Sequence, residues 1–337
     1  MSKPGGTSLV AGIDEAGLGP LLGPLVIGYA VLRQPELDTN PWRELSRFVS
    51  RKPASDKNRL IVADSKVVFS RNPRGRSRLE RTALTFQSLT RPGRRPADKA
   101  LDFLMGPFAP DPAALGGVPW YRALGDTELP LYNEAGSIEL RAERLHRAMN
   151  NAGLELVSCG VRFVPAGELN ASYDKTHSKG RTLWDMTAPL LQHFWSEFGN
   201  EDLFVAVDRH GGRAHYESLL ASAIPDAVTD PIRESEGVSE YSLGARSVPG
   251  SGHRQRGMRI VFAEKAEDQW FPVALASCFA KYARELVMGA FNEFFSELQP
   301  GLKPTAGYTT DGRRWLEDAR SAVARARIPE RVLVRQR

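Results

Sequence analysis

Apolar and polar positions in the first part of the chain alternate between short β-type runs and sharp turns. Leu9-Val10-Ala11-Gly12-Ile13 is an apolar run that ends on two adjacent carboxylates, Asp14 and Glu15, and breaks at once into Ala16-Gly17-Leu18-Gly19-Pro20. A second apolar run, Leu25 to Leu32, follows Leu22-Gly23-Pro24. The pattern predicts strands over 8–15 and 24–33 as a hairpin-like pair. Residues 41–59 are polar and mixed, reading as one short helix and a loop, and Leu60-Ile61-Val62-Ala63 then closes on Asp64-Ser65-Lys66. A helix is predicted over 77–89. From 90 to 130, proline and glycine recur among Phe103, Phe108, Trp120 and Tyr121, which reads as an irregular insertion. There Trp120 and Tyr121 stack on bases or, the better reading, build a small local core.

The second half is more regular. Over 137–151, Ile138, Ala142, Leu145 and Met149 share one helical face. A strand is predicted over 154–164 and a helix over 181–198, with Pro189 marking a kink or a late start. Leu203-Phe204-Val205-Ala206-Val207 is apolar throughout, a buried strand that ends on Asp208. A short helix over 214–224, a polar stretch over 230–257 with a Gly/Ser/Pro-rich loop at 248–252, and a strand over 258–262 follow. The longest helix, 272–298, opens on a proline, where helices tolerate one. No repeat is visible, and strands alternating with helices give an α/β class with a mixed sheet.

Composition narrows the picture. At 337 residues the chain can bury a core in one large or two modest domains. No run reaches the roughly 20 apolar residues of a membrane span, and the N-terminus lacks a signal peptide's apolar centre. Cys159 and Cys278 have no metal-ligand spacing and sit in apolar company, which reads as reduced core residues in a cytoplasmic protein with no membrane partner. The net charge of +5 is mild, but between Arg71 and Arg95 eight arginines face the single acid Glu80, a basic field suited to a polyanion.

A carboxylate closing an apolar strand is either a solvated strand end or one that meets a cation or a metal, because an unpaired buried charge is costly. Two strands here end that way, at Asp14 and at Asp208. The wording of four ordered segments adds to this: Asp14-Glu15-Ala16-Gly17-Leu18-Gly19-Pro20; Asp64-Ser65-Lys66; Val205-Ala206-Val207-Asp208; and Lys265-Ala266-Glu267 leading into Ala276-Ser277, Ala280-Lys281 and Arg284-Glu285. The set resembles the type 2 ribonuclease H family (ribonucleases HII and HIII), and Gly307-Tyr308 and Ile328-Pro329-Glu330 resemble its late segments.

That resemblance implies a ribonuclease H-like mixed sheet flanked by helices with a C-terminal helical extension. It divides the chain into a catalytic domain (1–70 and 131–300), a basic Pro/Gly-rich insertion (71–130) and a substrate-contacting segment (301–337). It implies a monomeric endonuclease that cuts the RNA strand of RNA/DNA hybrids, or ribonucleotide-containing duplex DNA, using Mg2+ or Mn2+. Asp14, Glu15, Asp208 and Glu267 would be the catalytic metal ligands, and Gly17, Leu18, Gly19, Ser65, Lys66, Lys281 and Tyr308 would contact substrate. Two-metal phosphodiester hydrolysis wants such oxygen ligands, and no Cys/His cluster competes for zinc. The fourth acid is open: counting from Ala276-Ser277 and from Lys265-Ala266 selects Glu267, whereas counting from Pro272 selects Asp268. Two departures stand out. Leu18 occupies a place where the family often has arginine, and Asp208 runs into Arg209-His210-Gly211-Gly212. His210 there reads as incidental rather than as a proton carrier. That turn faintly resembles the phosphate turn of sugar kinases and actin-like ATPases, but the Asp14-Glu15 pair and the lack of a duplicated half weigh against a phosphotransferase. A silent nucleic-acid-binding paralogue is disfavoured because clustered acids without a metal repel one another.

Overall fold

The computed structural model describes residues 7–53, 58–110, 115–246 and 256–336; the loop anticipated at 248–252 lies outside them. Nine strands are described: β1 (Ser8–Ala16), β2 (Leu25–Gln34), β3 (Val49–Ser50), β4 (Leu60–Ile61), β5 (Glu155–Val164), β6 (Leu203–Asp208), β7 (Ala227–Ser235), β8 (Val238–Ala245) and β9 (Gly257–Ala263). Seven form one sheet in the order β5-β2-β1-β6-β9-β8-β7, and β3 and β4 pair separately. The central strands β1, β6 and β9 run parallel, while β2, β5 and the β7–β8 hairpin add antiparallel flanks. The chain is therefore α/β with a mixed sheet flanked by helices, as its alternating pattern implies.

Strand periodicity sorts side chains onto the two faces. Leu9, Ala11 and Ile13 of β1 join Val205 and Val207 of β6 in one apolar cluster, packed under helix Lys179–Phe198. Val10, Phe204 and Ala206 point the other way, toward Val273 of the long helix Phe271–Leu298. That helix lies at backbone contact with the sheet. A Cβ on Gly12 would sit 2.2 Å from the Val273 nitrogen, and one on Gly28 would sit 2.1 Å from the Ala276 carbonyl oxygen. The close approach thus needs glycine on the strands as well as the small residues Ala274, Ala276 and Ala280 on the helix.

Several expectations are revised. The polar stretch after Asp230, for which no element is predicted, holds the β7–β8 hairpin, turning at Glu236-Gly237. The outer strand β7 is largely exposed and carries Pro231 with charged residues, a composition that suits a sheet edge and hides it from apolar pattern reading. Helix Lys179–Phe198 begins before Arg181 and runs through Pro189. Trp120 and Tyr121 do not build a local core or offer faces for stacking on bases. Trp120 packs edge-on against Phe291 at 5.1 Å, Tyr121 against Phe163 at 5.1 Å, and Phe103 against Tyr282 at 4.9 Å, so these aromatics belong to the main core. Within the arginine-rich stretch, helix Pro73–Ser88 starts four residues before the expected Ser77, opened by Asn72 capping the Gly75 N–H at 2.9 Å. Its one acid, Glu80, is fully buried. It accepts hydrogen bonds from Leu131 N–H (2.8 Å), Tyr132 N–H (2.7 Å), Asn133 Nδ2 (3.0 Å) and Tyr282 Oη (2.9 Å). Glu80 therefore spends its carboxylate on these donors rather than on an ion pair with a surrounding arginine.

Candidate active site

The parallel register pairs Ile13 with Val207, which sets the next residues, Asp14 and Asp208, side by side at the ends of neighbouring strands. Both share the strand parity of the residues that face the long helix. Glu15 follows as the penultimate residue of β1, and ligand oxygens of Asp14, Glu15 and Asp208 all lie within 4.8 Å of one another. Like charges this close, in a site largely shut off from water, disfavour ionisation. Burial, then Glu15 and Asp208, hold the Asp14 carboxyl well above the usual range. Burial, then Asp208, pushes Glu15 up to about 7. Asp208 is raised as well, chiefly by burial, although its carboxylate accepts a 3.4 Å hydrogen bond from the Ala266 N–H.

Glu267 stands just outside this trio, in the short helix Ala266–Gln269, with its pKa raised by burial first and then by the charge of Asp208. Asp268 turns away. Its carboxylate pairs with Arg51 at 3.2 Å, its carbonyl accepts from the same guanidinium at 2.7 Å, and its side chain is exposed. Of the two candidates for the fourth acid, Glu267 is the one in the field of the cluster.

Two neighbouring residues complete the cluster, both inside segments quoted from the sequence but neither given a role at the site there. The Ser277 hydroxyl, buried on the long helix, hydrogen-bonds Asp14 and accepts the Ser65 N–H at 3.2 Å, tying β1 to the Asp64-Ser65-Lys66 turn. Asp64 caps that turn by accepting the Lys66 N–H at 2.9 Å, and it adds its charge to those acting on Asp208 and Glu267. Lys66 itself projects into solvent, its ammonium raised by Asp64 first and then by Asp14, Glu267 and Asp208. The signal for Asp64 was its place between an apolar run and a lysine; for Ser277 no sequence signal distinguishes a hydroxyl role from small-residue packing.

The opening turn is held from the far end of the chain. Arg335 donates to the Gly17 carbonyl and, at 2.9 Å, to the Leu18 carbonyl, while its own N–H reaches the Leu21 carbonyl at 2.9 Å. Asn170 secures that tail through the carbonyls of Arg331 (2.7 Å) and Val334 (2.8 Å). Gly17, at φ +90°, sits against Arg284, where a Cβ would meet Nε at 2.5 Å. The same guanidinium lies 5.7 Å over the half-exposed ring of Tyr308, so Gly17 and Tyr308 share one neighbour. Lys281 is engaged elsewhere, pairing with Glu285 and lying 4.3 Å over Phe69. His210 is a buried core residue beside Trp184, Tyr216 and Phe262, pushed down to about 3 by burial and kept neutral. Burial also raises the free thiols of Cys159 and Cys278 to about 12, which suits inert core positions.

No protein-family model matches the chain, and no curated protein matches it. Among solved structures it is similar to the ribonuclease H2 from Pyrococcus horikoshii OT3 (17% identity over 96% of this chain and 92% of that one, TM-score 0.43). It is also similar to the structure of the PCNA:RNase HII complex from Archaeoglobus fulgidus (16%, 98% and 94%, TM-score 0.41) and to Bst-RNase HIII in complex with Mn2+ (11%, 95% and 71%, TM-score 0.36). At these scores the superpositions are loose, and the chemistry of the site rests on its own geometry. Among the described residues, no helix is long and apolar enough to cross a membrane.

Proposed function

We propose that the chain is a metal-dependent nuclease of the type 2 ribonuclease H kind, hydrolysing the RNA strand of RNA/DNA hybrids. The observation that carries this reading is the convergence of Asp14, Glu15 and Asp208 within 4.8 Å at the ends of two parallel strands. An all-oxygen donor set of mutually repelling carboxylates suits Mg2+ or Mn2+ better than zinc, which favours nitrogen and sulfur. Such ions, when bound, activate water and stabilise the leaving oxygen in phosphodiester hydrolysis.

Asp14 and Asp208 would hold the metal ions, Glu15 would stand between metal and substrate, and Glu267 would complete the site at its edge. Ser277 fixes the orientation of Asp14 by its hydrogen bond. Lys66, exposed beside the acids, supplies a point charge for a phosphate. The turn Gly17-Leu18-Gly19 and Tyr308 would meet the sugar of the scissile strand, where the 2′-hydroxyl marks RNA. With Leu18 in place of arginine, we read the enzyme as cutting continuous hybrids and as less selective for isolated ribonucleotides in DNA.

The direct test is incubation with an RNA/DNA hybrid, and with a duplex carrying one embedded ribonucleotide, in Mg2+ or Mn2+ and in chelator. Metal-dependent cleavage of the RNA strand is expected, lost in Asp14→Asn while hybrid binding is retained. Turnover by Asp14→Asn, or nucleotide hydrolysis without any nucleic-acid cleavage, defeats the reading.

A further inference from the structure

Arg284 is among the largest fully buried side chains of the protein, 1% exposed on the long helix Phe271–Leu298, and the nuclease reading gives it no task. Its guanidinium is poorly matched by its surroundings. Among the described residues no carboxylate makes an ion pair with it: the adjacent Glu285 pairs with Lys281, and Arg71 adds a repelling charge. Nε and Nη1 are shut off from solvent without a hydrogen-bond partner. A buried ion in such a state costs stability, and an apolar side chain of similar volume often serves a fold as well or better. Packing alone therefore does not account for an arginine at this position.

Its contacts point to what does. Nη2 donates to the Ala306 carbonyl at 2.9 Å and, at 3.4 Å, to the Leu22 carbonyl. Those carbonyls belong to the two segments that would meet the sugar of the scissile strand. Leu22 follows the turn Gly17-Leu18-Gly19, and Ala306 precedes Gly307-Tyr308. The segments also bond to each other, the Leu21 and Leu22 N–H groups both donating to the Gly307 carbonyl at 2.7 and 3.1 Å. The guanidinium packs against both. Gly17 rests on it so closely that a Cβ there would come within 2.5 Å of Nε and 2.7 Å of Cδ. Its central carbon lies 5.7 Å over the Tyr308 ring, within cation–π range. The same helix carries Ser277, whose hydroxyl holds Asp14. Ser277 and Arg284 are two turns apart, so they share a helix face at about 10 Å spacing along the axis. One face thus anchors the acids at one point and the sugar-contacting segments at another.

We propose that Arg284 is a positioning residue for substrate recognition, locking the Gly17-Leu18-Gly19 turn and Tyr308 into one surface at a fixed distance from the carboxylate cluster. The inference rests on the nuclease reading and adds the residue that makes its two sugar contacts act together. Arg284 is buried and touches no substrate; it acts through Gly17 and Tyr308.

A double-mutant cycle tests this. kcat and KM for a long RNA/DNA hybrid in Mg2+ are measured for the wild type, Arg284→Met, Tyr308→Ala and the double variant, at a temperature where thermal melting shows all four folded. Methionine fills the volume without the charge or the planar fork. Arg284→Met should lower kcat/KM roughly tenfold to a hundredfold, the scale of a small misplacement of bound substrate, through KM more than kcat. The Mg2+ concentration for half-maximal rate should not move. Tyr308→Ala should cost roughly twofold to a hundredfold less in the Arg284→Met background than in the wild type, the usual coupling of side chains in contact. Arg284→Lys should fall between wild type and Arg284→Met, and the same cycle is run with it if Arg284→Met does not fold. Equal factors for Tyr308→Ala in both backgrounds overturn the proposal, as does a shifted Mg2+ midpoint with unchanged KM. A wild type that cleaves while the two losses simply multiply defeats this inference and leaves the nuclease reading standing. A wild type that cleaves no hybrid defeats that reading, and this inference with it.

Discussion

Glu15 offers a test of the carboxylate cluster that needs no substrate. Burial and the charge of Asp208 raise it from 4.5 to about 7 in the folded chain. An acid with a raised folded pKa binds its proton more tightly folded than unfolded, so the stability it contributes is full below its ordinary pKa and is lost as pH climbs to about 7. At 1.36 kcal/mol per pKa unit, the shift corresponds to roughly 3 kcal/mol lost across that window. Urea unfolding in chelator at intervals from pH 4.5 to pH 7, comparing wild type with Glu15→Gln, reads this contribution together with the relief of Asp14, whose carboxyl Glu15 also holds up, while titrations remote from the cluster cancel in the difference. The variant should gain roughly 3 kcal/mol on the wild type between the two ends of the range. Saturating Mg2+ should reverse the trend, since a metal binds the deprotonated carboxylates and stabilises the wild type more as pH rises. If the two proteins show the same pH dependence in chelator, Glu15 is not in a repelling, dehydrated cluster, and the metal reading loses its electrostatic support.

Three other outcomes follow from particular residues. Reversing several charges in the Arg71–Arg95 stretch should flatten the dependence of log affinity for a hybrid on log salt, measured by anisotropy, by about 0.9 for each phosphate that is no longer neutralised; an unchanged slope makes the stretch a solvated face. Gly28→Ala should lower unfolding stability by about 1–3 kcal/mol, the usual range for overpacking, because the new Cβ lands 2.1 Å from the Ala276 carbonyl; a wild-type denaturation midpoint contradicts this. Tyr308→Ala should reduce cleavage of a single-ribonucleotide duplex more than cleavage of a long hybrid, and equal losses in paired rate measurements would make Tyr308 structural.

Strand-borne features were legible in the sequence. An apolar run with a carboxylate at its end is a local pattern, and parallel pairing in register does the rest, which is why Asp14 and Asp208 come together across almost two hundred residues of chain. The β7–β8 hairpin was not legible, because an edge strand that buries little carries no apolar alternation. Trp120 looked like part of an ornament because proline and glycine break every local period around it. Its burial is set by Phe291 and Phe295 on a helix far along the chain. Ser277 illustrates a subtler limit, since a small residue facing a sheet and a hydroxyl holding a carboxylate look the same in one dimension.

The site's two halves differ in how they are secured, and this bears on how the molecule reaches an active arrangement. The carboxylates sit on central strands whose ladders and apolar faces form together with the sheet itself. The Gly17-Leu18 turn is fixed instead by Arg335, next to the C-terminus, and that tail is fixed by Asn170. Loop closure costs only about 0.6 kcal/mol more per doubling of length, so the 318 residues between Gly17 and Arg335 separate the two contacts less than what holds each one does. The acid cluster thus depends on strand pairing, and the turn beside it on the docking of the tail. On the proposed reading, metal binding and substrate recognition would then answer to different perturbations: loss of the Arg335 side chain should loosen the Gly17-Leu18 turn and weaken hybrid binding while metal binding at Asp14 and Asp208 holds.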